Sequence, residues 1–231
     1  MIHIGGLQKV SMIDYPGKLS AVVFLSGCNF RCPYCHNPEL ARGETYGQVS
    51  EREVLTYLDA RRGLLDGVVL TGGEPTLQRA LPDLCRAAKA LGFAVKLDTN
   101  GSFPEVLQTL IRERLIDYVA MDVKTDLDHY APALCEQDPA VAIRASIKLI
   151  MSSGLPYEFR TTCFRPLVNA QAMVRIGAWI KTAKTYAIEK FCAKETLDPD
   201  AGSYKDHIFD DNELLCLKAI VELIVECCFV R

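Results

Sequence analysis

Within the stretch SGCNFRCPYCHNPEL, three cysteines, Cys28, Cys32 and Cys35, fall inside eight residues. Thiolates at the spacing C-x3-C-x2-C wrap a loop around a soft metal centre. Two such centres compete for them. An iron–sulfur cube takes a thiolate at each corner, and ferredoxin-type runs bring a fourth cysteine from nearby or from later in the pattern. Here the next cysteine, Cys85, sits in a segment of helical periodicity, which leaves one iron open to an outside ligand. The alternative is a zinc ion held by Cys28, Cys32, Cys35 and His36. It is the weaker of the two, because adjacent residues point apart and rarely both reach one tetrahedral ion.

Four more short runs carry chemistry: TGGEP (71–75), DTNG (98–101), MDVK (121–124) and FRTT (159–162). Each has a plain structural reading when taken alone. Gly72 and Gly73 read as a turn leaving a strand, and Asn100 with Gly101 as a tight loop. Asp122 and Lys124 read as solvated charges at a strand end. Asp98 and Asp122 on neighbouring strand ends would repel, and a cation or a proton must relieve that.

The elements that position these runs follow from periodicity. Strand-like segments are AVVFL (21–25), GVVLT (67–71), AVKLD (94–98), YVAMDV (118–123), YEFRT (157–161) and YAIEKF (186–191). Amphipathic stretches lie near 50–63, 76–91, 103–116, 138–153 and 169–184, with a last helix at about 211–229. Ser50 with Glu53 forms a capping-box pattern, Asn169 opens the fifth helix, and Gly92 and Gly154 stand at helix ends. The opening residues, about 1–26, predict a β-hairpin turning at Tyr15-Pro16-Gly17-Lys18, where glycine accepts the positive φ of a type II turn.

Six βα units imply a parallel sheet with right-handed crossovers. Chemically capable residues follow almost every strand, as on the rim of a barrel and unlike the single switch point of an open sheet. The expected fold is therefore α/β, a partial (β/α)6 TIM-like barrel with an N-terminal β-hairpin. No repeat or linker divides the chain, so residues 1–231 read as one domain.

About half of the residues are apolar, a quarter are charged, and the net charge is −3. That balance excludes a basic footprint for nucleic acid or an anionic membrane. The first residues lack the apolar core of a secretory signal. In the C-terminal tract, Lys218, Glu222 and Glu226 paint a polar stripe incompatible with a membrane span. Ten cysteines in a chain of this size and character read as reduced thiols or metal ligands. Outside the loop, Cys85, Cys135, Cys163, Cys192, Cys216, Cys227 and Cys228 are expected to be small buried hydrophobes.

With Tyr34 as the aromatic before its last cysteine, the loop at 27–40 resembles the CxxxCxxC signature of the radical S-adenosylmethionine (SAM) superfamily. The resemblance implies a [4Fe-4S] cluster on Cys28, Cys32 and Cys35, its open iron chelated by the amino and carboxylate groups of SAM. It implies that Gly72, Gly73 and Glu74 hold the SAM ammonium and that Tyr34 and His36 lie against the adenine. Asp98, Asn100, Asp122, Lys124 and Arg160 complete the SAM surroundings, with a monovalent cation near Asp98 and Asp122, as in pyruvate formate-lyase activating enzymes. No catalytic residue beyond cluster and SAM is implied.

Across most of its length the chain is similar to the small activases of glycyl-radical enzymes, above all those of anaerobic ribonucleoside-triphosphate reductase. No cysteine-rich insert appears between residues 36 and 70, which argues against activases with extra clusters. The implied reaction is reductive cleavage of SAM to methionine and a 5′-deoxyadenosyl radical, which takes a hydrogen from a glycine of a partner protein. The implied setting is cytoplasmic and anaerobic, with a flavodoxin- or ferredoxin-type electron donor. A pyruvate formate-lyase activase and a small-molecule enzyme like 7-carboxy-7-deazaguanine synthase are the alternatives. Two runs depart from the pattern, CFRPLVN after FRTT and KFCAKETLDP near the sixth strand. Both fall where the partner's glycine loop is expected, and they hold Cys163 and Cys192.

Overall fold

The computed structural model describes residues 2–45, 47–192, 196–198 and 205–231. Its elements are β1 (Ile4–Ser11), β2 (Ser20–Leu25), α1 (Pro38–Arg42), α2 (Glu51–Asp59), β3 (Gly67–Gly72), α3 (Leu81–Ala90), β4 (Ala94–Thr99) and α4 (Pro104–Arg112). There follow β5 (Tyr118–Asp122), α5 (Ala140–Ser152), β6 (Tyr157–Cys163), α6 (Ala170–Trp179), β7 (Tyr186–Lys190), α7 (Asp211–Val221) and β8 (Cys228–Val230). The strands succeed one another from β1 to β8 in a single sheet order. β1 pairs antiparallel with β2, whereas β2–β3, β3–β4, β6–β7 and β7–β8 are parallel. Strands β2 to β7, each followed by a helix, are the six expected units.

The chain divides into two compact units. One comprises Met1–Asn29, Glu39–Thr99 and Glu105–Val119, the other Phe30–Pro38, Asn100–Pro104 and Ala120–Arg231.

In the first unit the hairpin turns as expected: the Lys18 N–H donates to the Tyr15 carbonyl at 3.1 Å, and Gly17 has φ +72°. Val22, Val23, Val68, Val69, Leu70, Val95 and Leu97 are all buried, the unbroken apolar run of strands covered on both faces. Tyr15 packs with Val22 and Val69 beneath the hairpin. The capping box on α2 forms, with the Glu53 N–H on Ser50 Oγ at 3.2 Å and the Ser50 N–H on Glu53 Oε2 at 2.7 Å. A cap of this kind contributes about 1 kcal/mol.

In the second unit, Ile143, Ile147 and Ile150 bury the inner stripe of α5. Asn169 Oδ1 caps α6 by accepting the Ala172 N–H at 2.9 Å. A buried relay fixes β6: the Tyr186 hydroxyl donates to Thr161 Oγ1 at 2.7 Å, and that hydroxyl donates to the Val123 carbonyl at 2.6 Å.

Two expectations are corrected. The last helix ends at Val221 instead of near 229, and the chain turns into β8, with Cys228 opposite Tyr186 and Val230 opposite Ile188. The polar stripe holds while the helix lasts, with Lys218 Nζ 2.5 Å from Glu222 Oε2. Beyond it, the open edge of β7 offers N–H and C=O groups that a β-forming Cys-Phe-Val run satisfies better than another helical turn. The scattered cysteines are not uniformly buried. Cys85 and Cys163 are, but Cys192, Cys216 and Cys227 are exposed, and Cys135 and Cys228 are partly so. Cys227 flanks the edge strand and Cys216 lies on the wet face of α7, positions that an apolar sequence context alone did not distinguish. Of KFCAKETLDP, residues 193–195 and 199 lie outside the described residues.

Candidate active site

In the first unit, the end of β3 meets the start of the cysteine loop backbone to backbone. Gly72 has φ +121°, and a Cβ there would lie 2.3 Å from the Leu25 carbonyl oxygen. A Cβ on Gly73 would lie 2.1 Å from the Gly27 carbonyl oxygen and 3.2 Å from the Cys28 nitrogen. Only glycine fits either position. Hydrogen bonds stitch the contact: Gly73 N–H to Leu25 C=O and Glu74 N–H to Gly27 C=O, both 2.8 Å. Gly27 N–H donates to Leu40 C=O at 2.7 Å and Cys28 N–H to Ala41 C=O at 3.2 Å, which ties the base of the loop to α1. Gln78 clamps the same segment, donating to the carbonyls of Ser26 at 2.9 Å and His3 at 2.8 Å and accepting the His3 N–H at 2.6 Å. The backbone that carries Cys28 is thus held on three sides.

Glu74 is fully buried. Its Oε1 accepts the Thr76 N–H at 3.0 Å, the Thr99 hydroxyl at 2.8 Å and the Thr76 hydroxyl. These donors offset the cost of a buried carboxylate and cap the short turn Pro75–Leu77. At the end of β4, Asp98 Oδ1 lies 2.6 Å from the buried ammonium of Lys96. The ammonium also lies 5.9 Å above the Tyr118 ring.

The rest of the loop belongs to the second unit. Cys35 N–H donates to Cys32 C=O at 3.0 Å, which closes a turn between the two cysteines. Arg31 N–H reaches the Leu134 carbonyl at 2.7 Å, Leu197 N–H the Cys35 carbonyl at 2.9 Å, and Asp198 N–H the Pro33 carbonyl at 3.1 Å. Residues 197 and 198 of the TLDP run thereby support the thiols from outside. Cys32 is buried and Cys35 partly so. Burial pushes the Cys32 thiol up to about 11, with Lys124 pulling the other way. Binding a soft cation displaces such a proton.

Tyr34, between them, is buried against Phe164 and Phe191, with ring centroids 5.5 and 6.4 Å away. The exposed His36 ring lies 5.6 Å from Phe191.

Strand ends supply the charge. Arg160 Nε donates to Asp122 Oδ1 at 2.7 Å, and Lys124 Nζ lies 3.1 Å from Asp122 Oδ2. Burial would raise the Asp122 carboxyl, yet Arg160 and Lys124 hold it well below the usual carboxylate range. Burial would lower the Lys124 ammonium, yet Asp122, Tyr34 and Cys32 together hold it well above. Tyr130 fixes the lysine's backbone, its hydroxyl accepting the Lys124 N–H at 2.8 Å while its ring meets Phe30 edge-on at 5.9 Å. Asn100 Oδ1 accepts the Ser102 N–H at 3.0 Å and hydroxyl at 2.6 Å, closing its own turn.

Cys32, Tyr34, Lys124, Asp122 and Arg160 are therefore brought together in one unit, while Cys28, Gly72, Gly73, Glu74 and Asp98 belong to the other. Each of the two aspartates assigned to a shared cation has a basic partner of its own. Among the described residues no three His, Cys, Asp or Glu side chains close on a single-ion site. A cube takes its thiolates at separate corners and asks for no such convergence.

Lys96, Tyr130, Phe164 and Phe191 were not singled out from sequence, whereas Thr99 was, as part of the Asp98-Thr99-Asn100 strand end. For Lys96 a signal existed: residues 96 and 98 share a face at strand period two. For the aromatics, which arrive from separate strand ends, there was none.

These features define a class. The chain belongs to the radical SAM superfamily, whose profile matches residues 22–171. The family implies a [4Fe-4S] cluster and SAM, and makes the chain an enzyme. Among relatives, a Methanocaldococcus jannaschii protein provisionally named a glycyl-radical enzyme activating enzyme is 39% identical over 85% of this chain and 83% of its own. The pyruvate formate-lyase-activating enzyme of Clostridium pasteurianum is 31% identical over 56% of each chain. Among solved structures, Streptococcus suis SuiB bound to its precursor peptide SuiA superposes with a TM-score of 0.65 at 16% identity, over 91% of this chain and 48% of that one. That likeness shows the fold alone, the partial α/β barrel of radical SAM enzymes. The residues present suit the cofactors: three thiols on one loop, whose base is fixed by the close backbone contact of Gly72 and Gly73 with Leu25 and Gly27, and a buried Tyr34 hydroxyl without a hydrogen-bond partner.

Proposed function

We propose that this chain activates a glycyl-radical enzyme, with anaerobic ribonucleoside-triphosphate reductase as its target. Cys28, Cys32 and Cys35 hold the cluster, and the chain acts as one radical SAM domain over residues 1–231. The observation that carries the reading is the loop itself, three thiols and no fourth, with its base fixed against Gly73 and Glu74. The 39% identical relative supports the activase assignment.

When bound, cluster and SAM supply one-electron cleavage of the sulfonium and the 5′-deoxyadenosyl radical. The protein's share is placement. Gly72 and Gly73 present bare backbone to the SAM ammonium beside the capping carboxylate of Glu74. Asp122, Lys124 and Arg160 form a charged floor that orients the methionine carboxylate and ribose, and Asn100 stands beside it. Tyr34 and His36 border the adenine. A monovalent cation near Asp98 and Asp122 would displace Lys96 or Lys124 from its carboxylate. A flavodoxin or ferredoxin supplies the electron, and the protein works in an anaerobic cytoplasm. Among the described residues no helix is long and apolar enough to cross a membrane.

The Clostridium relative favours a second target, pyruvate formate-lyase. One experiment separates the two. Anaerobically reconstituted protein is mixed with SAM, reductant and each candidate partner, and the glycyl-radical EPR doublet is recorded. A doublet on the reductase supports the proposal, and a doublet only on pyruvate formate-lyase moves the target. SAM cleavage with no doublet on any glycyl-radical enzyme of the same cell overturns the activase reading.

A further inference from the structure

Two residues before Arg160, on the same strand, stands a second charged pair. Glu158 is 2% exposed, and among the described residues its one ion-pair partner is Arg231, just past β8. The Arg231 guanidinium meets the two Glu158 oxygens at 3.2 and 3.3 Å and also binds Glu189 Oε1 on β7, at 2.8 and 3.0 Å. It therefore crosses β7 to reach β6. Glu189 is partly open to water, with 28% of its side chain exposed, whereas Glu158 has no such relief.

The backbone sets this up. The Arg231 N–H donates to the Ile188 carbonyl at 3.0 Å, and the Arg231 carbonyl accepts the Lys190 N–H at 2.8 Å, which pins the residue beside Glu189. In register with Arg160, the intervening strand carries only the methyl of Ala187. Strand alternation puts Glu158 and Arg160 on one face of β6, about 7 Å apart. A buried carboxylate that loses its cation must find another donor or take up a proton. The other cation on its strand is Arg160, whose Nε donates to Asp122 at 2.7 Å.

We infer that Arg231 is a positioning residue for Arg160: by neutralising Glu158 it keeps the Arg160 guanidinium on Asp122, in the orientation that the charged floor offers to SAM. Arginine suits the task, because its fork serves two carboxylates at once where lysine brings a single point charge. The link to SAM rests on the placement proposed above, whereas the side-chain arrangement itself does not.

The test is heteronuclear NMR of the arginine Nε–H groups in the oxidised, reconstituted full chain before SAM is added, with the Arg160 signal assigned by its loss in Arg160→Lys. In Arg231→Gln, hydrogen exchange at Arg160 Nε should quicken about tenfold or more, the protection that a charge-assisted hydrogen bond gives. Combining Glu158→Gln with Arg231→Gln removes both charges at once and should return exchange to near the wild-type rate. SAM affinity, read from the change that SAM causes in the EPR spectrum of the reduced protein, should fall in the single variant and recover in the double. Unchanged exchange in Arg231→Gln overturns the inference. So does a double variant that exchanges as fast as the single, which would assign the effect to packing. If Arg231→Gln does not fold, Arg231→Lys decides: exchange faster than wild type supports the role, and a wild-type rate overturns it. Exchange that follows the expected order while SAM affinity stays constant throughout would keep the Arg160–Asp122 role and sink the SAM placement.

Discussion

Arg160 Nε sits 2.7 Å from Asp122 Oδ1, joining the end of β5 to the interior of β6, and the carboxylate's other oxygen is taken by Lys124 at 3.1 Å. The pair places two cations and one anion beside the Cys32 thiol, a net positive floor suited to a carboxylate-bearing ligand. It also makes the site part of the folding free energy.

Removing Asp122 takes the anion from between Lys124 and Arg160. Because its side chain is 31% exposed, solvent screens part of the loss, so Asp122→Asn should destabilise the fold at neutral pH by about 1–2 kcal/mol, between a surface and a buried ion pair. The pH dependence has a definite sign. Because its folded pKa is depressed, the carboxyl contributes fully above the unfolded value of about 3.9, and the contribution is lost as pH falls through the lower folded value. Urea midpoints of wild type and variant should differ at pH 7 and begin to approach each other only as the pH falls below about 4. A gap that persists in acid would refute the ion-pair account.

Gly73→Ala places a Cβ 2.1 Å from the Gly27 carbonyl oxygen, with backbone on both sides to resist it. The expected cost is at least about 2 kcal/mol, as for overpacking that moves main chain. Cluster uptake should fall with it, because the displaced segment carries Cys28. A variant with wild-type stability and iron content would show that the strand end is not a tight cradle.

Gln78→Ala removes one acceptor and two donors from the segment beneath Cys28. Three hydrogen bonds to the His3 and Ser26 backbone go with it, while the His3 carbonyl keeps the Ser26 N–H at 2.9 Å, so a loss of about 1–2 kcal/mol is expected. Gln78→Glu keeps the acceptor for the His3 N–H but sets a carboxylate against two carbonyls, and it should rescue less than half of the loss. Full rescue by glutamate would mean that the carbonyl contacts do not matter.

Native-state thiol alkylation should separate the cysteines by burial. Cys192, Cys216 and Cys227 are exposed and are expected to label in minutes. Burial holds the Cys85 and Cys163 thiols up at about 12, so both should label only on unfolding. Peptide mapping by mass spectrometry reads the order directly, and early labelling of Cys163 would contradict the packing of β6.

Much of this was legible in the chain because local rules decide it. Pro16-Gly17 turns the hairpin, Ser50 and Glu53 cap α2, Asn169 caps α6, and each predicted strand lies within a residue or two of its place. What escaped depends on distant partners. The helical pattern of Lys218, Glu222 and Glu226 runs on past Val221, but β7 claims residues 228–230 for its edge. Exposure of Cys192, Cys216 and Cys227 depends on which face the fold leaves uncovered. Within the site, the cysteines and strand-end charges were visible as motifs. The Phe164–Phe191 cage was not, since two ordinary phenylalanines acquire meaning only when two strand ends bring them to Tyr34.

The central claim is that Cys28, Cys32 and Cys35 alone ligate a cluster whose fourth iron is free to bind SAM. The direct measurement is the EPR spectrum of the reduced, anaerobically reconstituted protein before and after SAM is added, with iron and sulfide determined on the same sample. The account predicts about four irons per chain, a change in g-values when SAM is added, and loss of the signal in Cys28→Ala, Cys32→Ala and Cys35→Ala. A spectrum indifferent to SAM, or protein that carries zinc and no iron, would contradict it.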